Sequence, residues 1–298
     1  MSARLSSKWD SGNVSELVDV GTLKIFLQGS GHSRAAGDPG VIIVPGMGDS
    51  GLGWSAVIRE VGAFARVYCF DRPGLGHSPP TSSSRAAGIM AAELSDLLRA
   101  AGIPPPYVVV SHSYGGIIAR EFLALQPNDV CGMVFVDTNT ENSPSLPYET
   151  LGAMADGVDY YGVCGYESQH KLTAEEWQQI KTPADEDTRT ADAEAKLCAS
   201  GYAKLGERRQ YEAQVLGKKP LAVIKGQTER DLRRLYDAGL ARGNGTEEQR
   251  QIMLTALDGY DDGERKNQQA QLRLSSQHQF SECDSGHNAS PFNFRPNT

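Results

Sequence analysis

Hydrophobic positions along the chain follow two alternating rhythms. Short continuous apolar runs, Val41-Ile42-Ile43-Val44, Val67-Tyr68-Cys69-Phe70, Tyr107-Val108-Val109-Val110, Met133-Val134-Phe135-Val136 and Leu221-Ala222-Val223-Ile224, read as strands. Between the first four lie helical periods. Trp54, Val57, Ile58 and Val61 fall at i, i+3, i+4 and i+7, and Met90, Leu94, Leu97, Leu98 and Ala101 share one face of a second helix that Gly102 is placed to end. A third helix follows Tyr114 and stops at Gln126, because Pro127 cannot continue it. Ahead of this series, Leu17 to Val20 and the alternating Leu23 to Gln28 form a hairpin about Gly21-Thr22. Strands alternating with helices in this order imply right-handed crossovers and an α/β fold with a mostly parallel sheet flanked by helices.

The rhythm breaks over 138–217, which carries no strand-like run and reads as short helices and loops. One helix start is legible there: Thr173-Ala174-Glu175-Glu176 fits a capping box, with Trp177 and Ile180 behind it. Strand character returns at Leu221. A charged, glutamine-rich helical stretch follows, and then a short, unusually polar strand over Gln277 to Glu282 leads into Asp284-Ser285-Gly286-His287.

Charge and composition narrow the function. A net charge of −8 over 298 residues argues against nucleic acid or an anionic membrane as the main partner. The segment 138–217 holds fourteen acidic and seven basic residues and so carries −7 of that −8, which reads as a solvated outer face. The opening residues have no apolar core of the signal-peptide kind, and no run approaches a membrane span, so a cytoplasmic location is expected. The five cysteines include no C-x-x-C pair, and neither a metal site nor a cofactor is called for; Cys69 and Cys131 sit in apolar runs and read as small buried hydrophobes.

The chemistry gathers around Ser113. The strand from Tyr107 ends in Ser111-His112-Ser113-Tyr114-Gly115 and opens directly into a helix, with small residues two before and two after the central serine. That spacing is what a tight strand-turn-helix step requires, and it projects the hydroxyl above the sheet edge beside a helix N-terminus. A serine needs a histidine to take its proton and a carboxylate to orient that histidine. Of six histidines, His287 stands behind a Ser-Gly turn at the end of the last strand, whereas His278 lies within that strand, His112 within the elbow and His77 in a tight turn.

These features together resemble the α/β-hydrolase fold superfamily, in its serine esterase- and lipase-like AB hydrolase 1 type. The resemblance covers roughly 14–139 and 219–288. It rests on Val44-Pro-Gly-Met-Gly-Asp-Ser50, Asp71-Arg-Pro-Gly-Leu-Gly-His-Ser78, the Ser113 elbow, Val136-Asp137 and Ser285-Gly286-His287. It implies that the backbone amides of Met47 and Tyr114 form an oxyanion hole, with Pro45 standing where the family usually has a histidine. It implies a core of residues 1–139 and 218–298 with a helical lid over 140–217, inserted after the sixth strand. Tyr160, Tyr161, Tyr166 and Trp177 in that insert are candidates either for an acyl or ring pocket or for simple packing. The acid has three candidates: Asp137 after the sixth strand, and Glu229 or Asp231 after the seventh. Asp137, 24 residues beyond Ser113 and followed by Thr138-Asn139-Thr140-Glu141, resembles the sixth-strand subgroup and is preferred.

The expected activity is cofactor-free cleavage of an ester or related acyl bond in a small, apolar molecule. A lyase or cyclase using the same triad, and a non-catalytic ligand-binding homologue, are the rivals. Besides Pro45, and Ser111 in place of the elbow's first glycine, a further departure from the family lies at the end. Only Asn288 to Thr298 follow His287, with Pro291 and Pro296, where relatives have a helix. The polar last strand is then a tolerated exposed edge, a shortened variant, or an edge covered by another copy in a homo-oligomer.

Overall fold

The strands are β1 (Val14–Asp19), β2 (Lys24–Gly31), β3 (Gly40–Val44), β4 (Arg66–Asp71), β5 (Tyr107–His112), β6 (Val130–Val136), β7 (Leu221–Lys225) and β8 (His278–Glu282). In the computed structural model, which describes residues 7–143 and 147–288, they form one sheet in the order β1-β2-β4-β3-β5-β6-β7-β8. β1 with β2 and β2 with β4 are antiparallel; the other neighbours are parallel. The hairpin closes as its sequence predicts, with Val18 opposite Ile25 and the Gly21 amide donating to Asp19 Oδ1 at 2.8 Å.

The apolar runs are continuous because both faces of the parallel strands are covered. Ile42, Val44, Val109, Met133, Phe135 and Val223 share one buried cluster with Leu94 and Leu97 of α2 (Ala87–Ala100) and Ile117 and Phe122 of α3 (Gly115–Leu125). The alternate residues Val41, Ile43, Val67 and Cys69 pack on the other face against Trp54 and Ile58. Each such side chain fully buried contributes about 1.5–3 kcal/mol relative to exposure. Trp54 departs from its predicted place. It ends a 3₁₀ turn (Gly51–Trp54) that Ser50 caps, and α1 (Ser55–Gly62) starts one residue later.

Between β6 and β7 lie α4 (Tyr148–Ala155), α5 (Tyr160–Val163), α6 (Tyr166–Gln169), α7 (Ala174–Lys181), α8 (Asp185–Ala195), α9 (Cys198–Glu207) and α10 (Gln210–Ala213). The capping box at the start of α7 forms as read: Thr173 Oγ1 accepts from the Glu176 amide at 3.2 Å while Glu176 Oε2 accepts from the Thr173 amide at 2.8 Å. The glutamine-rich stretch after β7 is three helices, α11 (Thr228–Ala241), α12 (Glu247–Leu257) and α13 (Tyr260–Ala270). β8 is the sheet's edge, and its five residues are exposed or half-buried, which explains its polarity. The expectation of a missing terminal helix falls on 289–298, outside the described residues. Among the described residues no helix is long and apolar enough to cross a membrane, and no group of His, Cys, Asp and Glu could hold a metal ion. All five cysteines are free; Cys69 is buried as expected, Cys131 only half so.

Candidate functional site

The turn from β5 to α3 holds Ser113 at φ +51°, left-handed backbone that a residue with a Cβ rarely adopts. Such strain persists only where surroundings over-determine it. Here they do: the Ser113 amide donates to Val136 O at 3.3 Å and the Asn139 amide donates to Ser113 O at 2.9 Å. The small residues of the elbow answer to close contacts. A Cβ on Gly115 would run into Val44 O and stand 2.6 Å from Pro45 O, and one on Gly116 would strike Thr138. Gly115→Ala is therefore expected to destabilise the fold by about 1–3 kcal/mol through overpacking, read as a lowered urea midpoint with unchanged slope. An unshifted midpoint would count against this packing.

His287 reaches the elbow from the loop after β8. Parallel pairing of β7 with β8 carries through Lys225 and Glu282, after which the Cys283 amide donates to Lys225 O at 3.0 Å and the Gln227 amide to Ser285 O at 2.9 Å. The two loops leaving these strands thus lie together. His287 Nε2 stands 2.9 Å from Ser113 Oγ, and its Nδ1 stands 2.7 Å from Asp137 Oδ2. Both ring nitrogens are engaged, so neither alternative acid holds the ring. Glu229 accepts from Arg233 and from the Asp261 amide, and Asp231 accepts from the Tyr166 hydroxyl and Arg230.

Asp137 is also at positive φ, +46°, just past the end of β6. Its carboxylate is buried, with Oδ1 accepting from the Gly226 amide at 2.9 Å and Oδ2 from Thr228 Oγ1 at 2.5 Å. Burial pushes its pKa up. The hydrogen bond and charge of His287, then Thr228 and Gly226, outweigh that and hold it down at about 2. For His287 burial favours the neutral ring, but the hydrogen bond and charge of Asp137 reverse the balance and raise its pKa. Burial, then the neighbouring His287, lowers the pKa of His112 to about 3. His112 is therefore neutral, and its Nε2 donates to the His287 carbonyl at 2.6 Å.

Upstream, the loop after β3 runs against the elbow. A Cβ on Gly46 would stand 3.2 Å from Ser113 Cβ, so the backbone leading to Met47 passes directly beside the serine. Tyr114 is the residue preceding α3, where unpaired amides favour negative charge. All five sequence-predicted site residues, Met47, Ser113, Tyr114, Asp137 and His287, thus belong to loops that leave the same end of the sheet.

Sequence reasoning missed Thr228, Gly226 and His112 as supports of the Asp137 and His287 groups. A threonine beginning the helix after β7, beside the expected seventh-strand acid position, was the available signal. The aromatic candidates Tyr166 and Trp177 are buried in a cluster with Cys164 and Leu172, packed by half-buried Tyr160 and Tyr161. Tyr166 further accepts from the Asn288 amide at 3.2 Å, which ties this cluster to the residue after His287.

The model of the alpha/beta hydrolase family matches residues 41–292, and the chain belongs to that family. A curated relative from Gibberella zeae, named "AB hydrolase superfamily protein", is 31% identical across 89% of this chain and 85% of its own length. One from Hormonema carpetanum, named "Probable transporter efuK", is 35% identical across 91% of this chain, but the match spans only 40% of that relative. Among solved structures, Cfl2 from Burkholderia cenocepacia superposes with a TM-score of 0.62 at 16% identity, covering 97% of this chain and 94% of that one, a likeness of fold.

Proposed function

We propose that the chain is a cofactor-free serine hydrolase that cleaves a carboxylic ester, or a related acyl bond, of a small apolar molecule. The observation that carries this reading is the unbroken line Ser113 Oγ, His287, Asp137, with contacts of 2.9 and 2.7 Å. His287 Nδ1–H donates to the carboxylate, leaving Nε2 to accept the serine proton as Oγ attacks the acyl carbon. The oxyanion then formed is held by the Met47 and Tyr114 amides. Collapse expels the alcohol, protonated by His287, and leaves Ser113 acylated. Water, deprotonated by the same ring, releases the acid. In this reading 140–217 is a lid on a core of 1–139 and 218–298, and half-buried Met47, Tyr160 and Tyr161 line its apolar side.

A fluorophosphonate probe tests the reading. Ser113 displaces fluoride and becomes phosphonylated, and an ester panel then defines the acyl preference. A folded protein that neither labels nor hydrolyses any ester overturns the reading in favour of ligand binding.

The proton inventory adds a pH prediction. Only the neutral ring can accept from Ser113, and the His287 pKa is raised, so the acid limb of kcat/KM is expected above the ordinary histidine value of about 6.5. An acid limb at or below that value would contradict the Asp137 partnership. The stability signs are opposite for the two partners. Asp137, depressed to about 2, contributes stability that is present above the unfolded carboxylate range and lost as pH falls toward 2. His287, raised, contributes stability that is full below its unfolded pKa and lost as pH rises through the folded one.

A further inference from the structure

The acidic stretch between β6 and β7 reads from sequence as a solvated face, yet on α8 it buries one carboxylate completely. Glu194, in the last turn of α8, has its side chain 0% exposed, and Arg72 opposite it is 1% exposed. Arg72 Nε donates to Glu194 Oε1 at 2.7 Å and Arg72 Nη2 to Oε2 at 2.9 Å; the Gly48 amide donates to the same Oε2 at 2.9 Å. The guanidinium continues into the loop after β3, where Nη1 donates to Pro45 O at 2.9 Å and Nη2 to Gly46 O at 2.6 Å. Three of the four residues 45–48 are therefore held by this pair, and the fourth is Met47.

A second set of contacts seats α8 equally closely. Ala191 Cβ stands 2.6 Å from where a Cβ on Gly48 would be, and Thr190 Oγ1 fills the space a Cβ on Gly74 would need. The Gly76 amide donates to Asp187 Oδ1 at 2.8 Å. Gly48, Gly74 and Gly76 have φ of +65°, +85° and +53°, so the loops after β3 and β4 both use glycine where α8 comes down on them. Taking a carboxylate and a guanidinium out of water is costly and is recovered only when their hydrogen bonds are met, as they are here.

We infer that Glu194 is a positioning residue. Through Arg72 and the Gly48 amide it fixes the backbone on both sides of Met47, so that the Met47 amide faces the developing oxyanion, and α8 is a fixed wall of the site rather than a moving part of a lid. This rests on the serine hydrolase reading above. It assigns Asp71-Arg72-Pro73-Gly74-Leu75-Gly76 a specific task, since this turn supplies both the guanidinium and two of the glycines under α8.

The test uses Glu194→Gln in the full chain, with active sites counted by fluorophosphonate titration. On one ester, kcat per titrated site is expected to fall roughly tenfold to a hundredfold, the range for a slightly displaced oxyanion donor, with KM little changed. Affinity for the matching trifluoromethyl ketone, whose adduct with Ser113 carries the tetrahedral oxyanion, should fall by the same factor as kcat/KM. The double variant Arg72→Met/Glu194→Met removes both buried charges. It is expected to regain thermal stability while kcat per site stays low, and it decides the question alone if Glu194→Gln does not fold. Unchanged kcat per site in a variant whose only defect is a lower Tm overturns the inference and leaves the pair a purely stabilising role. A wild-type protein that neither labels nor turns over an ester overturns the hydrolase reading itself, and this inference with it.

Discussion

Ser113→Ala is expected to abolish fluorophosphonate labelling and to lower ester turnover by roughly 10⁴- to 10⁶-fold, while leaving the protein folded. The size follows from what is removed. Without Oγ no acyl-enzyme can form, and only oxyanion stabilisation and substrate binding remain to act on a water molecule. The fold should tolerate the change. Alanine keeps a Cβ at the same φ of +51°, and the backbone bonds that fix the turn, from the Ser113 amide to Val136 O and from the Asn139 amide to Ser113 O, do not involve the side chain. The hydroxyl's other neighbour, Asn139 Oδ1 at 3.4 Å, is distant enough to lose little. KM should change less than kcat, because the serine interacts most strongly in the transition state. Turnover within tenfold of wild type, measured on protein with an unchanged circular dichroism spectrum, would exclude Ser113 as the nucleophile.

What the amino-acid sequence reveals by itself divides along a physical line. The parallel strands are legible because burial on both faces leaves an uninterrupted apolar run, and the elbow because a tight turn constrains residues two positions away on either side. Both are local demands. The choice between Asp137 and Glu229 is not local. It depends on which carboxylate finds partners across β6 and β7, and the Gly226 amide and Thr228 hydroxyl that bind Asp137 come from 89 and 91 residues further along the chain. Glu194 is harder still. It sits among Asp187, Asp192 and other acidic residues on a helix of low apolar content, and nothing in that spacing separates the one carboxylate that turns inward to Arg72 from its neighbours. The aromatic residues of 160–177 show a third case, since side chains suited to a pocket are equally suited to the cluster that Tyr166 and Trp177 form.

The same geometry gives the second large effect: Asp137→Asn is expected to lower kcat by about 10⁴-fold with little loss of substrate affinity. A carboxylate accepts at both of its oxygens, and an amide accepts at only one of its two polar atoms. Asp137 Oδ1 receives the Gly226 amide and Oδ2 receives both Thr228 Oγ1 and His287 Nδ1–H, so all three donors demand acceptors. Whichever way the substituted side chain is turned, one of these two positions offers N–H to a donor. With the amide nitrogen toward His287, the ring is driven to the tautomer protonated at Nε2, which cannot take the serine proton. The imidazolium formed during attack also loses its counter-charge, and the acid limb of kcat/KM should move down, because the Asp137 carboxylate is what raises the His287 pKa. Glu229→Gln should leave kcat within a few fold, since its partners are Arg233 and the Asp261 amide. Asp231→Asn should fall between, because its carboxylate lies against Gly286 and bonds Tyr166, which holds the Asn288 amide, and so steadies the residues on both sides of His287. Steady-state kinetics across pH on the three variants separates these roles. A 10⁴-fold loss at Glu229→Gln with Asp137→Asn active would transfer the acid to the first turn of α11.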